Sequence, residues 1–182
     1  MASPGSDETG WAEGYSTRAV TASLVGIVAM GALGLLVGLL GQPRGAGGRT
    51  PSKFLGDLFG QLAMWVSIGT IFLGWAWVGH RLTAPIQWLQ DHRLDVHIWA
   101  SVAATGFAVF HTAEMLAYPL TVGWISGTLA TVYLLGLFAT GWYYPRLREA
   151  WGKIQWRTVH WVLAVGTAVL AVLHFLITDG HF

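Results

Sequence analysis

Five runs of predominantly apolar residues, at about 19–40, 56–79, 97–117, 121–144 and 158–178, constrain this chain more than any other feature. Each approaches the roughly 20 residues that a helix needs to cross the hydrocarbon core of a bilayer. Lipid offers no partner to a backbone N–H or C=O, so a spanning segment must satisfy its own backbone. Uninterrupted apolar runs of this length do so as helices. Composition agrees: 10% of the 182 residues are charged, against about a quarter in a soluble domain. The 11 tryptophans suit rings anchored at two membrane interfaces. The expected fold is all-α, an integral membrane bundle of five transmembrane helices, in residues 19–182. Residues 1–18, polar and slightly acidic through Asp7, Glu8 and Glu13, read as a tail.

The first run is long for the apolar core of a secretory signal and follows three acids and one Arg, so it reads as a retained span. Its Gly34 and Gly38 form a small-xxx-small pair of the kind that lets a second helix approach closely. The segment 41–55 is rich in Gly and Pro with three basic residues; 80–96 is polar and contains Pro85; 145–157 opens on Pro145 and is basic. Only a short turn, 118–121, separates the third and fourth spans, which makes them antiparallel neighbours. The sequence contains no cysteine. That excludes disulfides, Cys-ligated iron–sulfur clusters, thiolate haem ligation and covalent haem attachment. A net charge of +1 gives no reason to expect a nucleic-acid partner.

Four of the seven histidines fall in spans: His97 and His111 in the third, His160 and His174 in the fifth. Each pair is separated by fourteen residues, nearly four helical turns, so both members lie on one face about 21 Å apart along the axis. One histidine of each pair thus approaches each membrane surface. The seam between them, at offsets 4, 7 and 11, is Ser101, Ala104 and Ala108 in the third span and Ala164, Thr167 and Ala171 in the fifth. Bulky residues, among them Trp99, Phe107, Phe110, Trp161, Leu163 and Leu170, occupy other faces. Gly106 and Gly166 are expected to add room. Two such helices side by side can admit flat macrocycles, with imidazoles reaching a metal from both sides. A lone histidine in a span is more often structural or part of a proton path, but two equally spaced pairs with matching small seams are hard to obtain by packing alone. Zinc is the next metal candidate. A separation of about 21 Å prevents one ion from using both members of a pair, and two-histidine zinc sites in lipid would lack further ligands.

The H-x13-H spacing of the third span, followed by WRTVHWVLAVGTAVLAVLHFL in the fifth, resembles the ferric reductase-like transmembrane domain. That family includes NADPH oxidases, ferric reductases and small haem-bearing membrane subunits of bacterial oxidoreductases. The resemblance covers about 56–178, and Trp156, Arg157 and His160 carry its most specific part. It implies two b-type haems between the third and fifth helices, with His97, His111, His160 and His174 as axial ligands. The family's usual sixth helix would lie beyond His174, which eight residues follow. No Gly-rich dinucleotide loop of the flavin- and nicotinamide-binding domains is found. An electron-transfer subunit is therefore expected, not a self-sufficient enzyme, and no catalytic residue is assigned. The di-haem cytochrome b of respiratory bc complexes, whose histidines share this spacing, ranks second.

Five spans put the N-terminus and the second and fourth linkers on one side, with Arg18, Arg81, Arg93, Arg146, Arg148, Lys153 and Arg157. The other side has Arg44, Arg49 and Lys53. The positive-inside rule favours an N-terminus in the cytoplasm of a cell-membrane protein. His97 then pairs with His160 at the inner level and His111 with His174 at the outer. Arg93 and Arg157, one turn before the inner histidines, are candidates to hold haem propionates, unless they serve only as snorkelling interface residues. Glu114 reads either as a proton shuttle or quinol contact, or as a partner of the basic first linker. His80, His92 and His181 read as interface residues. The expected function is transmembrane electron transfer through two bis-histidine haems. Other subunits of a membrane redox complex, or a membrane quinone, supply or accept the electrons. The rival is a cofactor-free scaffold or assembly subunit; a proton or metal transporter is disfavoured by the scarcity of carboxylates in the spans.

Overall fold

The computed structural model describes residues 17–41, 51–118 and 122–178. Among these every regular element is helical: α1 (Thr17–Leu40), α2 (Pro51–Gly74), α3 (Ala76–Thr83), α4 (Gln87–Asp91), α5 (Arg93–Met115), α6 (Val122–Trp142), α7 (Tyr144–Trp151) and α8 (Lys153–Thr178). Five of them, α1, α2, α5, α6 and α8, are long and apolar enough to cross a membrane. They correspond in order to the five spans. The chain is a multi-pass membrane protein by this measure. The polar tail expected at 1–18 lies outside the described residues except for its last two.

The second span differs from its expected limits of 56–79. The helix starts at Pro51, inside the expected linker, where proline at a first helical position has no N–H to lose. It ends at Gly74, and Trp75 takes an extended conformation (φ −73°, ψ 108°) before α3 begins. Gly79 in α3 presses against the carbonyl of Leu73, a position where a Cβ would clash. The chain thus bends at the end of α2, a course that apolarity alone cannot reveal. The linkers 80–96 and 145–157 also carry short helices, α4 in the first and α7 in the second, with Pro145 in the first turn of α7. Trp77, Leu82, Ile86 and Trp88 are exposed along α3 and α4, and the Arg81 guanidinium sits over the Trp77 ring at 5.2 Å. Such exposed aromatic and cationic groups at span ends suit the headgroup layer.

Four spans close into a ring. α2 lies beside α5, α5 beside α6, α6 beside α8, and α8 beside α2. The two histidine-bearing helices, α5 and α8, are diagonal and scarcely approach each other. Small residues fill the middle: Ala63, Ala104, Ala108 and Ala164 form a buried cluster with Leu134 and Leu137. Thr167 is also buried. The outward faces are apolar, with Val28, Val132, Ile154 and Val162 all more than half exposed, as lipid requires.

Helix α1 stands outside the ring against α5. A Cβ on Gly34 would strike the backbone carbonyl of Phe110, and one on Gly38 would meet that of Glu114. The Gly34-xxx-Gly38 pair is therefore the surface that lets α1 seat on α5. Gly106 and Gly166 do not widen the space between the histidine helices. Gly106 faces Met30 of α1, and Gly166 faces the Tyr133 ring of α6. Their freed volume is taken by neighbouring side chains.

Many hydroxyls in the spans are satisfied locally. Ser101 bonds the carbonyl of His97, Thr105 that of Ser101 and Thr167 that of Leu163. Back-bonding to the preceding turn lets Ser and Thr sit in an apolar helix without an orphaned hydroxyl.

Candidate functional site

The bundle brings the four span histidines together in two pairs at two depths. The rings of His111 and His174 meet with centroids 5.8 Å apart, edge to face. His97 and His160 are electrostatic neighbours at the opposite end. Since α5 and α8 both enter at the His97 and His160 end, they run parallel.

Every one of these imidazoles is anchored through Nδ1. His97 bonds the Thr70 carbonyl at 2.8 Å and His111 the Gly56 carbonyl at 2.7 Å, both on α2. His174 bonds the Gly123 carbonyl at 2.9 Å, with the Ser126 hydroxyl at 3.1 Å. His160 meets the Thr140 hydroxyl at 2.9 Å. A carbonyl oxygen can only accept, so His97, His111 and His174 carry their proton on Nδ1. The Thr140 hydroxyl donates to the Leu137 carbonyl, so toward His160 it too accepts. In the neutral form all four rings therefore leave Nε2 with a free lone pair. This is the arrangement in which a metal-binding histidine is held, its second nitrogen donating to a fixed acceptor.

Glycines on the two other ring helices make room for each imidazole. A Cβ at Gly74 would lie 2.8 Å from His97 Cε1, and one at Gly60 3.1 Å from three atoms of His111. A Cβ at Gly127 would lie 2.8 Å from His174 Cε1, and one at Gly141 3.7 Å from His160 Cε1. The glycines are thus spaced by fourteen on α2 and again on α6, in step with the histidines. The anchors follow the same interval: carbonyls 56 and 70, hydroxyls 126 and 140. The reading from sequence named the histidines and missed these partners. G-x13-G in the second and fourth spans was the available signal, because a helix that packs against H-x13-H must offer clearance at the same period.

Trp156 completes the His160 surroundings. Its ring stacks on His160 at 5.2 Å, and its N–H donates to the Thr140 carbonyl at 2.8 Å. It touches Tyr144 of α7 on the other side. Arg93 is half-buried, with its chain against Gly79, while Arg157 is exposed. His80 sits on α3 and His92 between α4 and α5, bonded to Gln90 and to the Trp88 carbonyl respectively; His181 lies outside the described residues. Glu114 is fully buried, wedged by Gly56 and by Gly38, on the face of α5 toward α1 and α2. Most of the basic first linker, 41–55, the alternative partner expected for Glu114, lies outside the described residues.

The donor set can be tested against a metal. Two imidazoles bonded through a ring nitrogen to one metal at about 2.0–2.1 Å would stand with their ring centroids roughly 6.4 Å apart. The His111 and His174 centroids, at 5.8 Å, are closer than that. Among the described residues no third His, Asp or Glu joins either pair, so each pair offers two donors and a bound metal would need the rest from its own macrocycle. The hollow between His111 and His174 is narrow, about 10 Å³, the volume of one water. A macrocycle lodged there requires α5 and α8 to stand farther apart; as a diagonal pair they scarcely pack against each other. No family model, curated protein or solved structure matches this chain.

Proposed function

We propose that the chain binds two b-type haems, one at each histidine pair, and moves electrons across the membrane as a subunit of a larger redox complex. The observation that carries this reading is the four Nδ1-anchored imidazoles with their free Nε2 atoms, paired at two depths between parallel helices. A b-type haem supplies a one-electron iron couple whose potential the surrounding protein sets. Two histidines at each level would leave a haem bound there no open position for a substrate, which suits electron transfer over chemistry on a bound molecule.

The chain's own residues do the remaining work. Thr70, Gly56, Gly123 and Thr140 orient the imidazoles and raise their basicity by accepting from Nδ1. The alanine-rich centre, Ala63, Ala104, Ala108 and Ala164, keeps water out of the space between the two levels. Arg93 and Arg157 flank the His97 and His160 level, where charge-assisted bonds to haem propionates would be available. The likeness to the ferric reductase-like domain supports the same assignment. By the positive-inside rule the N-terminus is cytoplasmic, so His97 and His160 serve the inner level. Electron donors and acceptors are then other subunits or a membrane quinone.

The test is the optical spectrum of the full-length protein, purified after expression with haem available and reduced with dithionite. Sharp α and Soret bands of six-coordinate low-spin haem, with two haems per chain, are expected. A featureless spectrum in that region overturns the proposal.

A further inference from the structure

The two histidine pairs are alike in kind and unlike in what holds them. At the His111 and His174 level both Nδ1–H groups donate to backbone carbonyls, Gly56 at 2.7 Å and Gly123 at 2.9 Å. The Ser126 hydroxyl stands 3.1 Å from His174 Nδ1 as well. It donates to the Gly123 carbonyl, so toward the ring it accepts. At the His97 and His160 level one carbonyl serves, Thr70 at 2.8 Å, and His160 has the Thr140 hydroxyl at 2.9 Å. The outer pair thus has three acceptors, two of them carbonyls, and the inner pair has two, one of them a carbonyl. An amide oxygen carries more negative charge than a hydroxyl oxygen and pulls harder on the shared proton. Each such bond makes the imidazole more basic and its Nε2 a stronger donor. A stronger donor favours the oxidised, more positive state of a metal it binds, which lowers the potential.

Nearby charge acts in the same sense. Asp57 of α2 is an electrostatic neighbour of His111, and Arg93 of α5 is one of His97. A carboxylate beside a redox site favours its oxidised state, and a guanidinium favours the reduced one. The carboxyl group of Glu114 packs against Gly56, whose carbonyl holds His111. Asp95 and Arg157, exposed near the starts of α5 and α8, are opposite in sign and screened by solvent. The imidazole anchors and the neighbouring charges are separate features of the fold, and both bias the outer level toward oxidation and the inner toward reduction.

We infer that these residues hold the two levels at different potentials, lower at His111 and His174 and higher at His97 and His160, so that an electron passes from the outer level to the inner; the inference rests on the di-haem reading. The exchange balances within the chain. One electron leaves the iron at the outer pair, which goes from ferrous to ferric, and takes the iron at the inner pair from ferric to ferrous. No proton moves, and no further reactant is needed. With the N-terminus in the cytoplasm, the chain is biased to carry electrons inward. The direction is a property of Gly56, Gly123, Ser126 and Asp57 on one side and of Thr70, Thr140 and Arg93 on the other, not of the four ligands, which are the same residue type at both levels.

The experiment is spectroelectrochemical titration of the purified full-length protein, reading the haem α band against applied potential. The parent should titrate in two one-electron waves. His111→Ala, which removes the outer haem, should keep the higher wave, and His160→Ala should keep the lower. Asp57→Asn should raise the lower wave and Arg93→Gln should lower the higher one. Each should change the equilibrium between the levels about three- to tenfold, roughly 30 to 60 mV for a one-electron couple. Ser126→Ala should raise the lower wave by less. Loss of the higher wave in His111→Ala, one shared potential for both haems, or a lower wave that does not rise in Asp57→Asn overturns the inference. If the histidine variants lose both haems, Asp57→Asn decides, because it keeps the side chain's shape and all four ligands. A merely structural role for Asp57 would alter haem content without moving one wave in this direction. A parent with two haems at one potential refutes the inference alone. A parent without haem bands refutes the di-haem reading itself.

Discussion

Substituting each of the four ring-facing glycines by alanine gives a graded series whose order follows from geometry. At Gly127 the new Cβ would lie 2.8 Å from His174 Cε1, against the 3.4 Å at which ordinary contact begins, a deficit of about 0.6 Å. The imidazole cannot simply swing aside, because its Nδ1 is held at 2.9 Å by the Gly123 carbonyl. Either that bond stretches or α6 moves away from α8. Overpacking of this kind costs about 1–3 kcal/mol, which at 1.4 kcal/mol per decade is roughly 5- to 150-fold in haem retention at that pair. Gly74→Ala has the same deficit against His97. Gly60→Ala, at 3.1 Å, asks for about half as much, and Gly141→Ala, at 3.7 Å, asks for nothing. The assay is haem per chain by pyridine haemochrome after a fixed wash in detergent, with the reduced spectrum identifying the surviving site. Gly127→Ala and Gly74→Ala should fall toward one haem per chain, Gly60→Ala should lose less, and Gly141→Ala should keep two. Equal loss in Gly141→Ala and Gly127→Ala, or full retention in all four, would show that clearance at the imidazoles does not govern the sites.

His111→Ala should remove one haem and leave the other, and His174→Ala should remove the same one; quantifying haem and resolving the two sites by redox titration checks both. Thr140→Val takes away the hydroxyl that accepts from His160 Nδ1, so retention at that level should weaken about 10- to 100-fold, the usual cost of losing a metal ligand's outer partner. Ser126→Ala should do much less at the other level, since the Gly123 carbonyl still accepts from His174; competition with apomyoglobin measures both rates of loss. Gly34→Leu should unseat α1 from α5, because its side chain would enter the backbone of Phe110, and should lower the thermal midpoint in detergent more than the haem content. Insertion of one alanine after Ala104 rotates His111 by about 100° against His97, and should abolish one haem band while sparing the other.

Much of the architecture could be read from the sequence because lipid simplifies the code. Apolar length alone marks a span, and α1, α5 and α6 lie within a few residues of their expected limits. The small seam was legible for the same reason: Ala104, Ala108, Ala164 and Thr167 are buried, and only small residues at that period could be. What failed to show was orientation around each helix at isolated glycines. Gly106 and Gly166 stand beside the histidine face in sequence, yet their empty sides meet Met30 and Tyr133. A glycine records that something comes close without recording what. The break at Trp75 was hidden because Ala76–Gly79, the first turn of α3, is as apolar as the end of α2, and the bend is marked only by the close approach of Gly79 to the Leu73 carbonyl. The Nδ1 anchors were hidden because three of them are backbone carbonyls, which any residue type supplies.

The fourteen-residue interval also bears on how the helices must cross. Fourteen residues are two heptads, and a straight α-helix drifts about 20° per heptad from an exact repeat. Over the distance between His97 and His111 the drift is about 40°, enough to turn one imidazole of a pair partly out of the ring if the helices stood straight and parallel. A left-handed supercoil, with neighbouring helices crossing at about 20°, cancels that drift. The same interval recurs in the glycines of α2 and α6, 60 with 74 and 127 with 141, so all four ring helices keep one period. A shared two-heptad period holds two equivalent sites in a single bundle only if all four helices wind together. It follows that the two sites are not independent inventions of the sequence: the repeat that aligns the second histidine of each pair is the repeat that packs the bundle.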